Sequence, residues 1–369
     1  MKIIKILLLL VIFIVPIAGF IFTPNDLVLK GENRNITPFP KIGKPLFFVN
    51  LQNYIVDRIF FKVKVEEEFF PFLKDYFSFF KFEKSEISIE GKNGWLFFSD
   101  RASDVYRQHT FPIVDSHRGK SVYEIEIPFI IELSKFSKAP LYMIVGPDKH
   151  GVYHEFMDPY YGKPGQYRLF SKFKHIFENN GISVIDPYDA LIDAKKNLKD
   201  KTLYYTDDTH WNLAGSKVAF DYVMNNIVDN YKSYKYSFSF SKHKNGDLVR
   251  NIKQPNCSYL DNVSVKRDNL PTVEVYDFYS DKLISKSKLS FEEPYIGTMT
   301  INKEAKDKRT VLLLSDSFGY ALKSYLSDYF YKVVHVRGMV YSPTSLKSTF
   351  DKAKPDIVLL VNVERNLSL

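Results

Sequence analysis

Residues 6–25 form an uncharged run, almost entirely Leu, Ile, Val and Phe as far as Phe22, preceded by Lys2 and Lys5. A helix needs about 20 apolar residues to cross a bilayer, so this run is long enough to anchor the chain. The two lysines then stay in the cytoplasm, and everything after Thr23 is expected on the far side of the inner membrane. A cleaved signal peptide is the competing reading. The strongest apolar stretch, residues 6–15, has the length of a signal-peptide core, and Ala18 and Gly19 follow it.

After a polar, Pro-containing start, residues 26–90 become aromatic and charged. Phe69, Phe72, Tyr76, Phe79 and Phe80 fall at spacings of three and four, which predicts one or two amphipathic helices linking the membrane to the body. From about residue 125 the pattern changes. Residues 140–146, 181–186, 310–314, 332–336 and 355–362 are short, near-continuous apolar runs, with helical periodicity around 170–178 between the first two. Apolar runs of this kind, separated by helices, predict an α/β sandwich whose central sheet is mostly parallel and covered on both faces. Residues 228–305 are rich in Lys, Ser, Asn and Tyr without a strong period, and are expected as an insertion of loops and short strands. The layout is thus an anchor at 1–25, a linker at 26–90 and one domain at 91–369.

Composition narrows the function classes. With 45% hydrophobic and 25% charged residues among 369, the chain is neither disordered nor collagen-like. Its single cysteine, Cys257, excludes an intramolecular disulfide framework, a Cys-based zinc site and a thioredoxin-type pair. The net charge of +8 comes from Lys and Arg scattered along the chain without a basic block. No nucleic-acid partner is expected, whereas an anionic polymer or membrane face suits the balance.

Two segments carry candidate chemistry. In residues 311–320, VLLLSDSFGY, a buried strand runs straight into a helix and leaves Ser317 in the turn at the carboxyl end of the sheet, where open α/β folds bind ligands. The helix start offers N–H groups to a developing oxyanion. The plainer alternative is that Asp316 and Ser317 only cap the helix. In residues 205–215, YTDDTHWNLAG, Asp207 and Asp208 precede His210 just ahead of a helix. A carboxylate so placed can turn back to the imidazole Nδ1 and leave Nε2 free as a base. An ordinary His at a capped helix start is the alternative. No paired His spacing accompanies it, so no metal is expected, and without a phosphate-cradling Gly-rich loop no cofactor is expected either.

Together with GKNGWLFF at residues 91–98, these segments resemble the alginate O-acetyltransferase J/X-like family, whose G-x-x-G-W-L-F, D-T-H-W and D-S-F/H-G motifs occur in the same order. The resemblance covers roughly residues 45–369 and implies an SGNH-hydrolase-like domain with Asp208, His210 and Ser317 as triad. Ser315 stands where the family has Gly. Compared with the common SGNH order, the serine strand and the two strands after it come last here, so the domain is expected to be circularly permuted. Ser317, Gly338 and Asn362 are the candidate oxyanion donors. Lys149, Tyr153, Trp211 and Arg365 are expected to line a sugar-binding cleft.

The function expected is an extracytoplasmic polysaccharide O-acetyltransferase, passing acetyl through Ser317 to sugar hydroxyls of an exopolysaccharide, capsule or peptidoglycan. The resemblance implies a membrane-bound O-acyltransferase as the donor partner. A carbohydrate esterase with the same triad, or a noncatalytic polysaccharide-binding or assembly protein, are the rival readings.

Overall fold

The computed structural model describes residues 87–99, 105, 127–157, 168, 170–243, 245–249, 256–291, 296–337 and 343–366, with short pieces at 20–21, 28–29, 34–40, 50–51, 54–55 and 57–58. The chain divides into two compact units, one made of residues 1–87 and 99–102, the other of residues 88–98 and 103–369. In the first unit, strands Val28–Leu29 and Arg34–Asn35 pair antiparallel. There the Arg58 guanidinium sits 3.7 Å over the Tyr54 ring and donates to the Thr37 carbonyl at 2.8 Å. The expected anchor lies outside the described residues apart from Phe20 and Ile21, as do most of the expected linker helices. Among the described residues no helix is long and apolar enough to cross a membrane.

The second unit opens with a hairpin of β1 (Ser88–Glu90) and β2 (Leu96–Phe98). There follow α1 (Ile127–Phe136), β3 (Leu141–Gly146), α2 (Phe170–Asn179), β4 (Ser183–Ile185), α3 (Tyr188–Lys195) and α4 (Leu213–Ile227). A second hairpin, β5 (Ser237–Ser241) with β6 (Asn262–Lys266), precedes β7 (Thr272–Asp277), β8 (Leu283–Lys288) and β9 (Thr298–Asn302). The chain continues through β10 (Asp307–Ser315), α5 (Gly319–Tyr329), β11 (Phe330–Arg337), α6 (Pro343–Ala353) and β12 (Ile357–Val363).

One eight-stranded sheet runs in the order β8-β7-β9-β11-β10-β12-β3-β4. Strands β11, β10, β12, β3 and β4 are mutually parallel, while β9, β7 and β8 add antiparallel pairs at one side. The segment expected as a loose insertion therefore supplies three strands of the main sheet as well as a separate hairpin. Counted from β10 and wrapping round the chain, the parallel strands lie in the order 2-1-3-4-5, an order common to open doubly wound sheets. The expected permutation follows directly from this topology.

Sequence pattern accounts for the layers. Every residue of β12 is buried, as are residues 311–315 of β10, so these strands carry apolar side chains toward both faces. On one face Leu313, Val311, Val361 and Val363 pack with Leu191 of α3, Phe220 and Val223 of α4, and Leu322 and Tyr325 of α5. On the other, Leu312, Leu314, Val358 and Leu360 pack with Leu133 of α1, Phe177 of α2 and Phe350 of α6. Truncating such a residue to Ala costs about 2–5 kcal/mol, so the sheet centre is a rigid platform for whatever its strand ends carry.

Candidate active site

The turn after β10 carries Ser317. Asp316, not Ser317, holds this turn: its Oδ1 accepts the Phe318 N–H at 2.9 Å and its Oδ2 accepts the Val363 N–H from β12 at 2.7 Å. Burial pushes the Asp316 carboxyl up, and the two N–H donors partly offset this. The Ser317 side chain is thus left exposed and outside the capping arrangement. Gly319 lets the helix start close over the strand, since a Cβ there would lie 2.1 Å from Ser315 Oγ. The Ser315 hydroxyl, in the family's Gly position, is fully buried and is satisfied by His335 Nε2 at 2.8 Å.

The loop before α4 carries Asp208 and His210. Asn212 caps α4, its Oδ1 accepting the N–H groups of Ala214 and Gly215 at 3.0 Å each, while its Nδ2 donates to the carbonyls of Thr202 and Asp261. With the helix end satisfied by Asn212, the acids before it are available to the histidine. Asp208 Oδ1 lies 2.6 Å from His210 Nδ1, and His210 Nε2 lies 2.6 Å from Ser317 Oγ. An ionised carboxylate only accepts, so Nδ1 carries the proton and Nε2 accepts from the serine hydroxyl. Burial pushes the Asp208 carboxyl up. The His210 hydrogen bond and charge, with the N–H groups of Asp247 and His210, outweigh burial and hold it well below the usual carboxylate range. Burial lowers the His210 pKa, but Asp208 and then Asp247 raise it overall. Asp207, the competing acid, instead faces His243 Nδ1 at 2.5 Å and accepts the Gly246 N–H.

Aromatic groups fix the separation of the two loops. Trp211 Nε1 donates to the Phe318 carbonyl at 3.1 Å, and the Phe318 ring packs 4.9 Å from Trp211 and 5.2 Å from His210. Gly146, at the end of β3, makes room for that ring, because a Cβ there would meet its Cδ1 at 2.5 Å. The Tyr204 hydroxyl donates to the Pro147 carbonyl, and that of Tyr325 to the Leu213 carbonyl.

Three of the residues expected to line a cleft lie beneath the site. Lys149 is 1% exposed, and its ammonium donates to the carbonyls of Asp208 (2.7 Å), Tyr205 (3.1 Å) and Thr206 (3.3 Å). Burial lowers its pKa to about 8, with Asp208, Asp247, Asp207 and Asp261 opposing the shift. Tyr153 and Trp211 are 4% and 2% exposed. The Tyr153 hydroxyl accepts the Leu203 N–H, and the Trp211 indole is committed to Phe318. Lys149 supports the Asp208–His210 loop because the loop's main-chain carbonyls need a donor that solvent cannot reach, whereas Tyr153 ties down Leu203 and Trp211 joins this loop to the serine turn. Arg365 is paired with the buried Asp148 at 2.5 Å, and its charge opposes protonation of His210. Asn362 is buried in β12, and among the described residues its side-chain amide has no hydrogen-bond partner. Strand alternation turns it away from the face where Val361 and Val363 pack with Phe318 and Trp211. Gly338 lies outside the described residues.

Sequence reasoning missed Asp247, which accepts from Thr209 and approaches His210, and Asp261, which accepts both N–H and hydroxyl of Thr206 at 2.7 Å. Neither has a spacing that ties it to the D-T-H-W segment. Among the described residues Asp208, His210 and Asp247 are close enough to share a cation. A metal on His210 Nδ1 would have to displace the Asp208 hydrogen bond.

The site is thus a serine at a strand-to-helix turn, in hydrogen-bond line with His210 and Asp208, at the carboxyl ends of a sheet of order 2-1-3-4-5. The family model described as an SGNH hydrolase-like domain, acetyltransferase AlgX, matches residues 89–288, and the chain belongs to this family. The match contains Asp208 and His210 and ends before Ser317. No curated protein matches the chain in sequence. Among solved structures, Bacillus cereus PatB1 is similar at 18% identity over 77% of this chain and 97% of PatB1, with a TM-score of 0.54. A DHHW family protein from Eubacterium siraeum is similar at 15% identity over 77% and 95% of the two chains, with a TM-score of 0.52. The O-acetyltransferase domain of Pseudomonas putida AlgJ has 14% identity over 76% and 91%, with a TM-score of 0.48. At these identities the likeness is one of fold.

Proposed function

We propose that the chain is an extracytoplasmic polysaccharide O-acetyltransferase working through a Ser317 acyl-enzyme. The observation that carries this reading is the continuous line from Asp208 through His210 to Ser317, with both contacts at 2.6 Å, in a member of an acetyltransferase family. His210 Nε2 takes the Ser317 proton as Oγ attacks the acetyl carbonyl of the donor, and returns that proton to the leaving group. In the second half a sugar hydroxyl gives its proton to Nε2 as it attacks the acyl carbon; the Oγ–acyl bond breaks, and Nε2 passes that proton to the departing Ser317 Oγ. Asp208 keeps the imidazole in the required tautomer and stabilises the imidazolium between the steps. We assign oxyanion stabilisation to the Ser317 N–H at the start of α5, whose N-terminus favours negative charge, since the N–H groups of Asp316, Phe318, Gly319 and Tyr320 already have partners within the turn or on β12.

Acetyl-CoA is confined to the cytoplasm, so an enzyme beyond the membrane needs its acetyl group delivered. A membrane-bound O-acyltransferase is the partner this requires, with the 6–25 run keeping the domain at the membrane. The test has two stages. A serine-directed fluorophosphonate should label the wild type at one residue and leave Ser317→Ala unlabelled. The protein supplied with an aryl acetate and oligosaccharides should then yield acetylated sugar by mass spectrometry. Free acetate alone across all acceptors makes the protein an esterase, and absence of labelling makes it noncatalytic.

A further inference from the structure

Asp247 lies 39 residues beyond Asp208 in the chain, and all its hydrogen bonds described above turn back to residues 208–209. Its N–H donates to Asp208 Oδ2 at 3.0 Å, the carboxylate oxygen that does not face His210. Its Oδ1 accepts the Thr209 N–H at 2.8 Å, and its Oδ2 accepts the Thr209 hydroxyl at 2.7 Å. That Oδ2 also comes within 3.7 Å of His210 Nδ1. The turn bearing Asp247 is itself fastened to the same loop: Gly246 N–H donates to Asp207 Oδ2, Leu248 N–H to the Asp207 carbonyl, and His243 pairs with Asp207.

We propose that Asp247 is a positioning residue for acyl transfer: its carboxylate grips Thr209 while its N–H holds Asp208, and together they keep His210 toward Ser317. Built on the reading of Asp208, His210 and Ser317 as a triad, it makes the 245–249 turn part of the active site. Without the Asp247 carboxylate Thr209 loses the acceptor for both its N–H and its hydroxyl, and only the main-chain N–H of residue 247 still reaches Asp208.

The charges facing His210 are Asp208 on its own loop, Asp247 from the inserted segment, Asp316 from the serine turn and Arg365 from the end of β12, the last opposing the carboxylates. Lys149, from the segment after β3, faces the loop's carbonyls from below. Neutralising Asp247 therefore weakens the imidazolium, so a rate that depends on neutral His210 should persist to lower pH. A residue that merely packs would not move that limb.

The experiment compares the full chain with Asp247→Asn and Asp247→Ala in aryl acetate turnover from pH 4.5 to 9, with near-ultraviolet circular dichroism as the folding control. Asp247→Asn should lower the plateau kcat/KM by about tenfold through kcat, with the midpoint of its acid limb moved to lower pH; Asp247→Ala should lose about 100-fold. Should the Ala protein fail to fold, the Asn protein carries the test. Wild-type rate in Asp247→Asn, or a loss of rate with the acid limb unmoved, overturns the proposal. Ser317→Ala is measured beside them: if it turns over like wild type the triad reading itself falls, whatever Asp247 does.

Discussion

Replacing Lys149 with Met keeps an unbranched side chain of similar length and removes the ammonium beneath the Asp208–His210 loop. Two effects oppose each other. The Lys149 pKa, lowered by burial to about 8 from 10.5, means that the charge costs the folded state about 3 kcal/mol relative to the neutral amine, at 1.36 kcal/mol per unit. Met relieves that cost but leaves the carbonyls of Tyr205, Thr206 and Asp208 without this donor, at about 1–3 kcal/mol each. The net loss is about 3 kcal/mol, enough to lower the melting temperature by several degrees without unfolding the domain. Activity should suffer more. A displacement of about 1 Å at the loop costs about 100-fold in rate, because His210 must meet Ser317 within hydrogen-bond reach. The assay is the second-order rate of fluorophosphonate labelling of Ser317, read with thermal melts from pH 6 to 10. The folded pKa lies below the unfolded one, so the unfolded chain binds more protons between about pH 8 and 10.5, and this group's contribution to stability rises across that window. Labelling should nevertheless slow above about pH 8 as the ammonium deprotonates, and Lys149→Met should lack that alkaline limb. Wild-type labelling in folded Lys149→Met, or an unchanged alkaline limb, refutes the reasoning.

The two neighbouring acids should separate cleanly: Asp208→Asn loses the tautomer control of His210 and about 10⁴-fold in aryl acetate turnover, whereas Asp207→Asn, facing His243, loses less than about tenfold. Ser315→Ala should destabilise the domain by about 1–3 kcal/mol in urea melts by removing a buried partner of His335, and a double-mutant cycle with His335→Phe should show coupling of about 1 kcal/mol or more. Gly146→Ala should push the Phe318 ring by about 1 Å and lower kcat with little change in KM for an aryl acetate, measured by steady-state kinetics. Equal loss in KM would point to the ring contacting substrate directly.

The parts of the fold that the pattern revealed are those buried on both faces. Residues of β3, β10 and β12 read as continuous apolar runs because helices cover them on either side, and their positions match the structure closely. β7 and β8 were hidden in a segment rich in Lys and Ser, since β8 is a mostly exposed edge strand with nothing to impose an apolar alternation. The hydrogen-bonded line of Asp208, His210 and Ser317 was legible because each residue sits at an element end in a short, chemically distinctive segment. Lys149 misled for a physical reason: its acceptors are main-chain carbonyls, which have no side-chain signature, so a charge after a strand at the ligand-binding end of the sheet read as a cleft residue. Asp247 was invisible because the loop that brings it to His210 has no period, and the contact exists only in three dimensions.

The place of β12 bears on how such a protein is made. It follows every other described strand in the chain, yet it lies between β10 and β3 and hydrogen-bonds to both. A nascent chain emerging amino end first can build β3 with β4, and later β10 with β11, but these remain two unjoined half-sheets until β12 arrives. Asp316 waits for the same strand, because Val363 supplies one of the two N–H groups that set the serine turn. A ribosome-stalled chain would therefore carry Asp208, His210 and Ser317 and still lack the turn that presents the serine. On the proposed mechanism, acyl transfer would begin only when the closing strand has entered the middle of the sheet.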